Sequence, residues 1–392
     1  MTASSMAPWL VVPALATAWL SAWLLARWRP APAHRTWSGL DGLRGLAAFS
    51  VFLHHTAIWY GYTHSGVWFG PPSNLYNNLG QGGVAVFFML TGLLFWDKLR
   101  ADPHQDWLRL FVSRFLRIAP LYALSMVVVL VLAWRVAAVP GFHPGGDALW
   151  HVATFAPTPD LFGVPETFMF NAGVAWTLHY EWMFYFALPL LALALELLRG
   201  GRVGIGALAG AALGYALARW LTGYGYDWHL LLYFVYGAIG REVACLAVAR
   251  PLRTLLAAWP GSVLVVAALA LGVHRDHSAY AVVPSLFYAL AFIPLAAGNT
   301  LFGVLKTPAL RKLGEISYSV YLLQGFVLYA TFESATLADS LLEHWLAAAV
   351  AVPVLIVLAQ ASYAWVERPA MRSVARVVAW LRAAWRRALV VA

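Results

Sequence analysis

The chain has 392 residues, of which 62% are hydrophobic and 11% charged, with a formal net charge of +9. A soluble globular domain carries about 25% charged residues, so this composition excludes an ordinary water-soluble fold. The single cysteine, Cys245, excludes an internal disulfide framework and a thiolate metal site, and no other metal site is expected.

An α-helix needs about 20 apolar residues to cross the hydrocarbon core, and lipid forces every backbone polar group to be satisfied within the segment. The apolar runs are continuous rather than alternating, which selects helices over a barrel. In chain order, spans are expected near 8–26, 42–60, 79–97, 119–139, 172–195, 203–219, 229–247, 261–274, 280–297, 315–333 and 345–365. The fold class is therefore all-α: a polytopic integral membrane helical bundle of about 10–11 transmembrane helices. The first run has no Lys or Arg before it and Arg27 and Arg29 after it, the wrong polarity for a cleaved signal peptide.

Basic residues gather in alternate connections: Arg27, Arg29 and Arg35; Lys98, Arg100, Arg109, Arg114 and Arg117; Arg199 and Arg202; Arg250 and Arg253; Lys306, Arg311 and Lys312; and the tail. The positive-inside rule makes these connections cytoplasmic, with the N-terminus outside and the C-terminus inside. The net charge thus reads as membrane orientation, and no nucleic-acid partner is expected. Beyond Pro369, which can open a helix, Arg372, Arg376, Arg382, Arg386 and Arg387 share one arc, opposite Val374, Val377, Leu381 and Trp385. Such a helix lies on an anionic cytoplasmic leaflet and contacts membrane lipids.

Four stretches carry polar groups that a simple span would avoid. The first is LDGLRGLAAFSVFLHH, with Asp41, Arg44, His54 and His55. Arg44 and His55 are separated by almost three helical turns, so they share a face about 16 Å apart, while His54 points about 80° away. Ala47, Ala48 and Val51 lie between them and are small enough to leave a groove. The competing roles are a snorkelling Arg44 paired with Asp41 and a packing histidine at 55.

In WLRLFVSRFLRIAP, Arg114 and Arg117 are three apart, just before Pro120 opens the next span. Two guanidiniums so placed can fork onto phosphate oxygens, or they are ordinary positive-inside residues. In WTLHYEWMFYF, Glu181 sits in an aromatic surround with Trp176, Tyr180 and Tyr185, which also suit an interfacial belt; His179 diverges from Glu181 and makes no metal pair. In GEISYSVYLLQ, Ser317, Tyr321 and Gln324 form a polar stripe, a pattern that also serves helix–helix hydrogen bonding.

The sequence has no G-x-S-x-G elbow, no H-E-x-x-H, no Walker loop and no dinucleotide fingerprint. It also lacks the His-x4-Asp of glycerolipid acyltransferases and any Trp-His-Gly. A buried histidine without a serine partner fits a general base acting on an acceptor hydroxyl.

Together these stretches resemble the acyltransferase-3 family of bacterial integral membrane O-acyltransferases, over roughly residues 38–366. LDGLRG followed by a histidine eleven residues after its arginine resembles the family's opening signature, on Arg44 and His55. GGVAVFFMLTGLL resembles its phenylalanine-rich second helix, with Thr91 where serine is common. RFLRIAP resembles its Arg-x-x-Arg element on Arg114 and Arg117. WTLHYEWMFY resembles its Trp-(Ser/Thr)-Leu…Glu…Phe-Tyr segment on Trp176 and Glu181. ISYSVYLLQ resembles a late segment that often ends in histidine, where this chain has Gln324.

The resemblance implies a stand-alone enzyme of the bacterial cytoplasmic membrane, with no appended hydrolase-like domain. Acetyl-CoA, or another short acyl-CoA, would be a co-substrate on the cytoplasmic side, with no permanently bound cofactor. The acceptor would be a hydroxyl of a glycan such as a surface polysaccharide or lipopolysaccharide. Residues 1–37 would form an extra helix and basic connection, 38–366 the acyltransferase domain, and 367–392 the amphipathic tail. His55 and Glu181 are the expected catalytic groups; Arg44, Asp41, Arg114, Arg117, Trp176, Tyr321 and Gln324 are the expected substrate-binding groups. The rival classes are a transporter or flippase of a glycan or glycolipid, using the same charges as a substrate path, and a noncatalytic subunit of a polysaccharide assembly complex.

Overall fold

The structure, a computed structural model, describes residues 6–31, 38–102, 104–137, 160–199, 229–245, 250–333 and 340–391. These residues are overwhelmingly helical, with no strand beyond one isolated bridge between Leu161 and Val164. Five described helices are long and apolar enough to cross a membrane, or six if one bent pair counts as a span. The expected span at 203–219 lies outside the described residues.

The helices are α1 (Val12–Trp28), α2 (Ser38–Ser65), α3 (Asn74–Ala101), α4 (Trp107–Val136), α5 (Trp176–Arg199), α6 (His229–Cys245) and α7 (Arg250–Ala257). They continue as α8 (Trp259–Arg275), α9 (Val282–Ala296), α10 (Pro308–Glu315), α11 (Ser317–Phe332), α12 (Leu341–Ser362), α13 (Arg368–Arg372) and α14 (Val374–Val391). Two expectations need correction. Pro120 does not open a span: it lies inside α4, whose start is set thirteen residues earlier by Asp106, a side chain accepting from the Arg109 backbone N–H. The short run at 261–274 belongs to a broken element, with α7 and α8 meeting at 66° across Ala258 and Trp259–Pro260. Pro260 lacks an N–H and is tolerated in the first turn of α8.

The chain divides into two compact units. Unit 1 comprises residues 1–97, 169–177 and 226–359. There α2 packs on α10 and α11, and α1 covers α10. The glycines of LDGLRG explain the first contact: a Cβ on Gly42 would meet the Leu305 carbonyl, and one on Gly45 the backbone of Leu310 and Gly314. Gly314 in turn abuts the Asp41 backbone. These glycines let two helices touch backbone to backbone, which holds Asp41 and Arg44 beside α10. Gly92 of α3 and Gly237 of α6 make a second such crossing, against Phe234 and Met89. Arg241 of α6 pairs with Asp97, and Trp96 Nε1 donates to Glu242 at 2.5 Å.

Unit 2 comprises residues 98–168, 178–225 and 360–392. Within it α13 and α14 pack along α4. The tail is helical and Pro369 stands in the first turn of α13, as its pattern predicts. Its apolar edge also docks on protein: Val378 is buried, and Arg382 pairs with Asp106 at 2.7 Å. Trp380 and Trp385 remain exposed.

Candidate functional site

In unit 1 the site is built on α2, an unbroken helix from Ser38 to Ser65. Its continuity keeps Arg44 and His55 on one face, about 16 Å apart. Arg44 Nη1 lies 3.3 Å from Asp41 Oδ1, and both side chains are mostly buried. Next to them on α10, Lys312 is 2% exposed and its Nζ donates to Glu315 Oε2 at 2.8 Å. Lys312 counted as an ordinary cytoplasmic cation in the sequence; its burial comes from the α2–α10 crossing, which no local pattern announces.

The two adjacent histidines face different neighbours. His54 packs on Gly80 of α3, and its Nδ1 lies 2.9 Å from the Tyr76 carbonyl. His55 is 8% exposed and lies beside the Gln324 amide of α11. Divergence by 100° per residue sends one ring into each packing interface.

Tyr321 and Gln324 lie on α11 as their spacing predicts. The Tyr321 hydroxyl donates to the Val174 carbonyl at 3.1 Å and shares a hydrogen bond with Thr177 Oγ1 at 2.9 Å, tying α11 to the segment that opens α5. Trp176 of that segment stands edge-on to Tyr280, with ring centres 6.4 Å apart. Tyr321 therefore holds the 169–177 segment in place as well as lining the region. An apolar cavity of about 720 Å³ also borders α2, on Leu43, Leu46, Ala47 and Ser50, facing α3, α8 and α9. This cavity is not the groove expected between Arg44 and His55: of that groove's residues it touches only Ala47, and Arg44, Ala48, Val51 and His55 do not line it.

In unit 2, Arg114 and Arg117 are half-buried on α4, and Lys98 lies within electrostatic reach of Arg114. The Tyr185 hydroxyl donates to Glu181 Oε1 and feels the charges of Arg114 and Arg117. The paired arginines of α4 and Glu181 of α5 thus act on one buried tyrosine of α5, Tyr185. Tyr180 and Tyr185 are buried rather than arrayed as an interfacial belt. Among the described residues no group of His, Cys, Asp and Glu is placed to hold a metal ion.

Unit 1 thus holds a buried histidine and a mostly buried arginine–aspartate pair, and unit 2 a basic cluster with a buried tyrosine. The acyltransferase-domain model of the acyltransferase-3 family matches residues 37–363, and the chain belongs to that family. It is an integral membrane acyltransferase. No curated protein and no solved structure matches the chain.

Proposed function

We propose that this acyltransferase moves an acetyl or other short acyl group from acyl-CoA, taken from the cytosol, to a hydroxyl of a glycan, and works in the bacterial cytoplasmic membrane. The observation that carries the reading is His55: a buried imidazole in an apolar helix, on the same face as Arg44. Among the described residues, it has no serine or cysteine nucleophile hydrogen-bonded to it.

His55 takes the proton of the acceptor hydroxyl as its oxygen attacks the thioester carbonyl. The C–O bond forms, the C–S bond breaks, and the CoA thiolate leaves with the proton returned by the imidazolium. Arg114 and Arg117 hold CoA phosphates by charge-assisted hydrogen bonds, and Lys98 adds to the same positive field. Arg44, held by Asp41, positions the donor at the cytoplasmic mouth. Glu181, held by Tyr185, supports the transfer, and Trp176, Tyr321 and Gln324 line the acceptor's side.

Mass spectrometry of surface glycans from cells with and without the gene tests the reading. An acyl increment on one glycan that vanishes with the gene and with His55→Ala is the expected result. Identical glycans in both cells, with no CoA release by the purified chain, would refute it.

A further inference from the structure

The cavity of about 720 Å³ among α2, α3, α8 and α9 belongs wholly to unit 1. Its wall is largely aliphatic, built from side chains such as Leu43, Leu75, Leu79, Val265 and Leu269. Two close crossings fix its sides. A Cβ on Gly83 of α3 would meet the Ala47 carbonyl and Ser50 Oγ of α2, and one on Gly82 would meet the Tyr288 ring of α9.

The polar side chains of the wall are bonded to protein. Ser50 Oγ donates to the Ala47 carbonyl at 2.8 Å, and the Tyr288 hydroxyl donates to Asn78 Oδ1 at 3.2 Å. Asn78 Nδ2 donates to the Asn74 carbonyl at 2.8 Å and lies 3.2 Å from the Asp276 and His277 carbonyls. A water held in such a space needs about two to four polar partners, which groups bonded to one another do not supply. Sugar hydroxyls would be stripped of water there without replacement bonds. An empty apolar cavity costs stability in proportion to its volume, and one this large would outweigh the margin of an ordinary domain. The wall calls for hydrocarbon.

The shape narrows the choice further. At about 1.5 Å per residue, the wall runs about 14 Å along α8, from Val265 to His274, and about 22 Å along α3, from Asn74 to Met89. The hydrocarbon core is about 30 Å thick, so the chain of one leaflet reaches about 15 Å. Ala270 and His274 of the wall are exposed, so the cavity opens on the outer surface of α8. At the C-terminal end of α8, His274 borders the cavity and the exposed Arg275 follows it, while the Asp276 carboxylate accepts from the Ser278 backbone N–H at 3.0 Å.

We infer that this cavity is a site for one acyl chain of a bilayer phospholipid, drawn from the leaflet that meets the C-terminal end of α8, with the lipid phosphate beside His274 and Arg275. The chain fills the apolar wall, and the guanidinium makes charge-assisted hydrogen bonds to the phosphate oxygens. The site does not depend on the acyl-transfer reading, because its occupant is neither donor nor acceptor.

The test uses the full chain in nanodiscs of phosphatidylethanolamine and phosphatidylglycerol, doped with a phosphatidylglycerol that carries a diazirine on its acyl chain. After irradiation, mass spectrometry of the digested chain is expected to find adducts at 74–89 and 265–274, at least fivefold above those on the exposed Val127 and Val131 of α4. Ala270→Trp fills the mouth and should cut the cavity adducts at least fivefold. Leu271→Trp, at the same depth but outside the wall, should leave them within twofold. A photoreactive diacylglycerol with the same chain should label at least threefold less, and joint replacement of His274 and Arg275 by alanine should erase that difference. Adducts spread evenly over exposed helix faces in the wild-type chain, or undiminished by Ala270→Trp, would overturn the site. Equal labelling by the diacylglycerol would overturn the phosphate contact. Native mass spectrometry that releases a polyprenyl phosphate, rather than a phospholipid, from the purified chain would overturn the assigned occupant.

Discussion

Replacing His54 and His55 one at a time separates packing from chemistry. His54 Nδ1 bonds to the Tyr76 carbonyl at 2.9 Å, and its ring fills the space over Gly80. Truncation to alanine leaves that carbonyl without its side-chain partner and opens a void. That carbonyl keeps its bond within α3, so the loss is one hydrogen bond of about 0.5–1.5 kcal/mol, and the lost packing adds to it. The His55 ring lies against the Gln324 amide, so His55→Ala forfeits mainly that contact. A general base contributes about 10²–10⁴-fold in rate, and that loss falls on His55 alone. The expected pattern is therefore crossed. His54→Ala lowers the unfolding temperature in nanodiscs but keeps measurable glycan acylation when folded protein is matched. His55→Ala keeps the wild-type unfolding temperature to within a few degrees and abolishes acylation. Exchanged phenotypes would show that the wrong ring faces the chemistry, and full activity in His55→Ala would dismiss the general base.

The Arg114→Ala, Arg117→Ala double variant is expected to lose at least tenfold in acetyl-CoA affinity by calorimetry, since each charge-assisted hydrogen bond contributes about 1.5–3 kcal/mol; unchanged affinity would leave these residues as topology signals only. The Arg109 backbone N–H and the Arg382 guanidinium hold the Asp106 carboxyl below the usual carboxylate range. A depressed acid stabilises the folded form above its unfolded pKa and loses that effect as pH falls through the folded value. The α14–α4 contact should accordingly survive acidification to the ordinary Asp range and loosen only below it, whereas Asp106→Ala should raise hydrogen exchange in 374–391 at neutral pH. In a chain whose exposed Cys245 is replaced by serine, Ser65→Cys should react with an impermeant maleimide on intact cells and Lys306→Cys only after permeabilisation; the mirror pattern would invert the orientation. Gly145, in the other long connection expected outside, lies outside the described residues.

Much of this protein is legible in the one-dimensional order of its residues. Continuous apolar runs require helices in lipid whatever their neighbours, so the all-helical class follows from composition and length. Helical periodicity places Arg44 and His55 on one face and turns His54 away from them, because those relations need only the geometry of a single helix. The five motifs in order name the family, and the family model agrees over 37–363. What lay beyond reach depends on contacts between distant segments. Pro120 reads as a helix start because proline lacks an N–H, yet Asp106 caps α4 earlier and the helix tolerates the proline within it. Lys312 reads as a solvent-exposed cation until Gly45 and Gly314 bring α2 onto α10 and bury it with Glu315. Asn171 reads as one more loop amide, and only the packing of its backbone against Gly325 of α11 buries it. Sequence order determines which residues share a helix face; tertiary packing decides which of them lose water, and with it which polar atoms must find a partner.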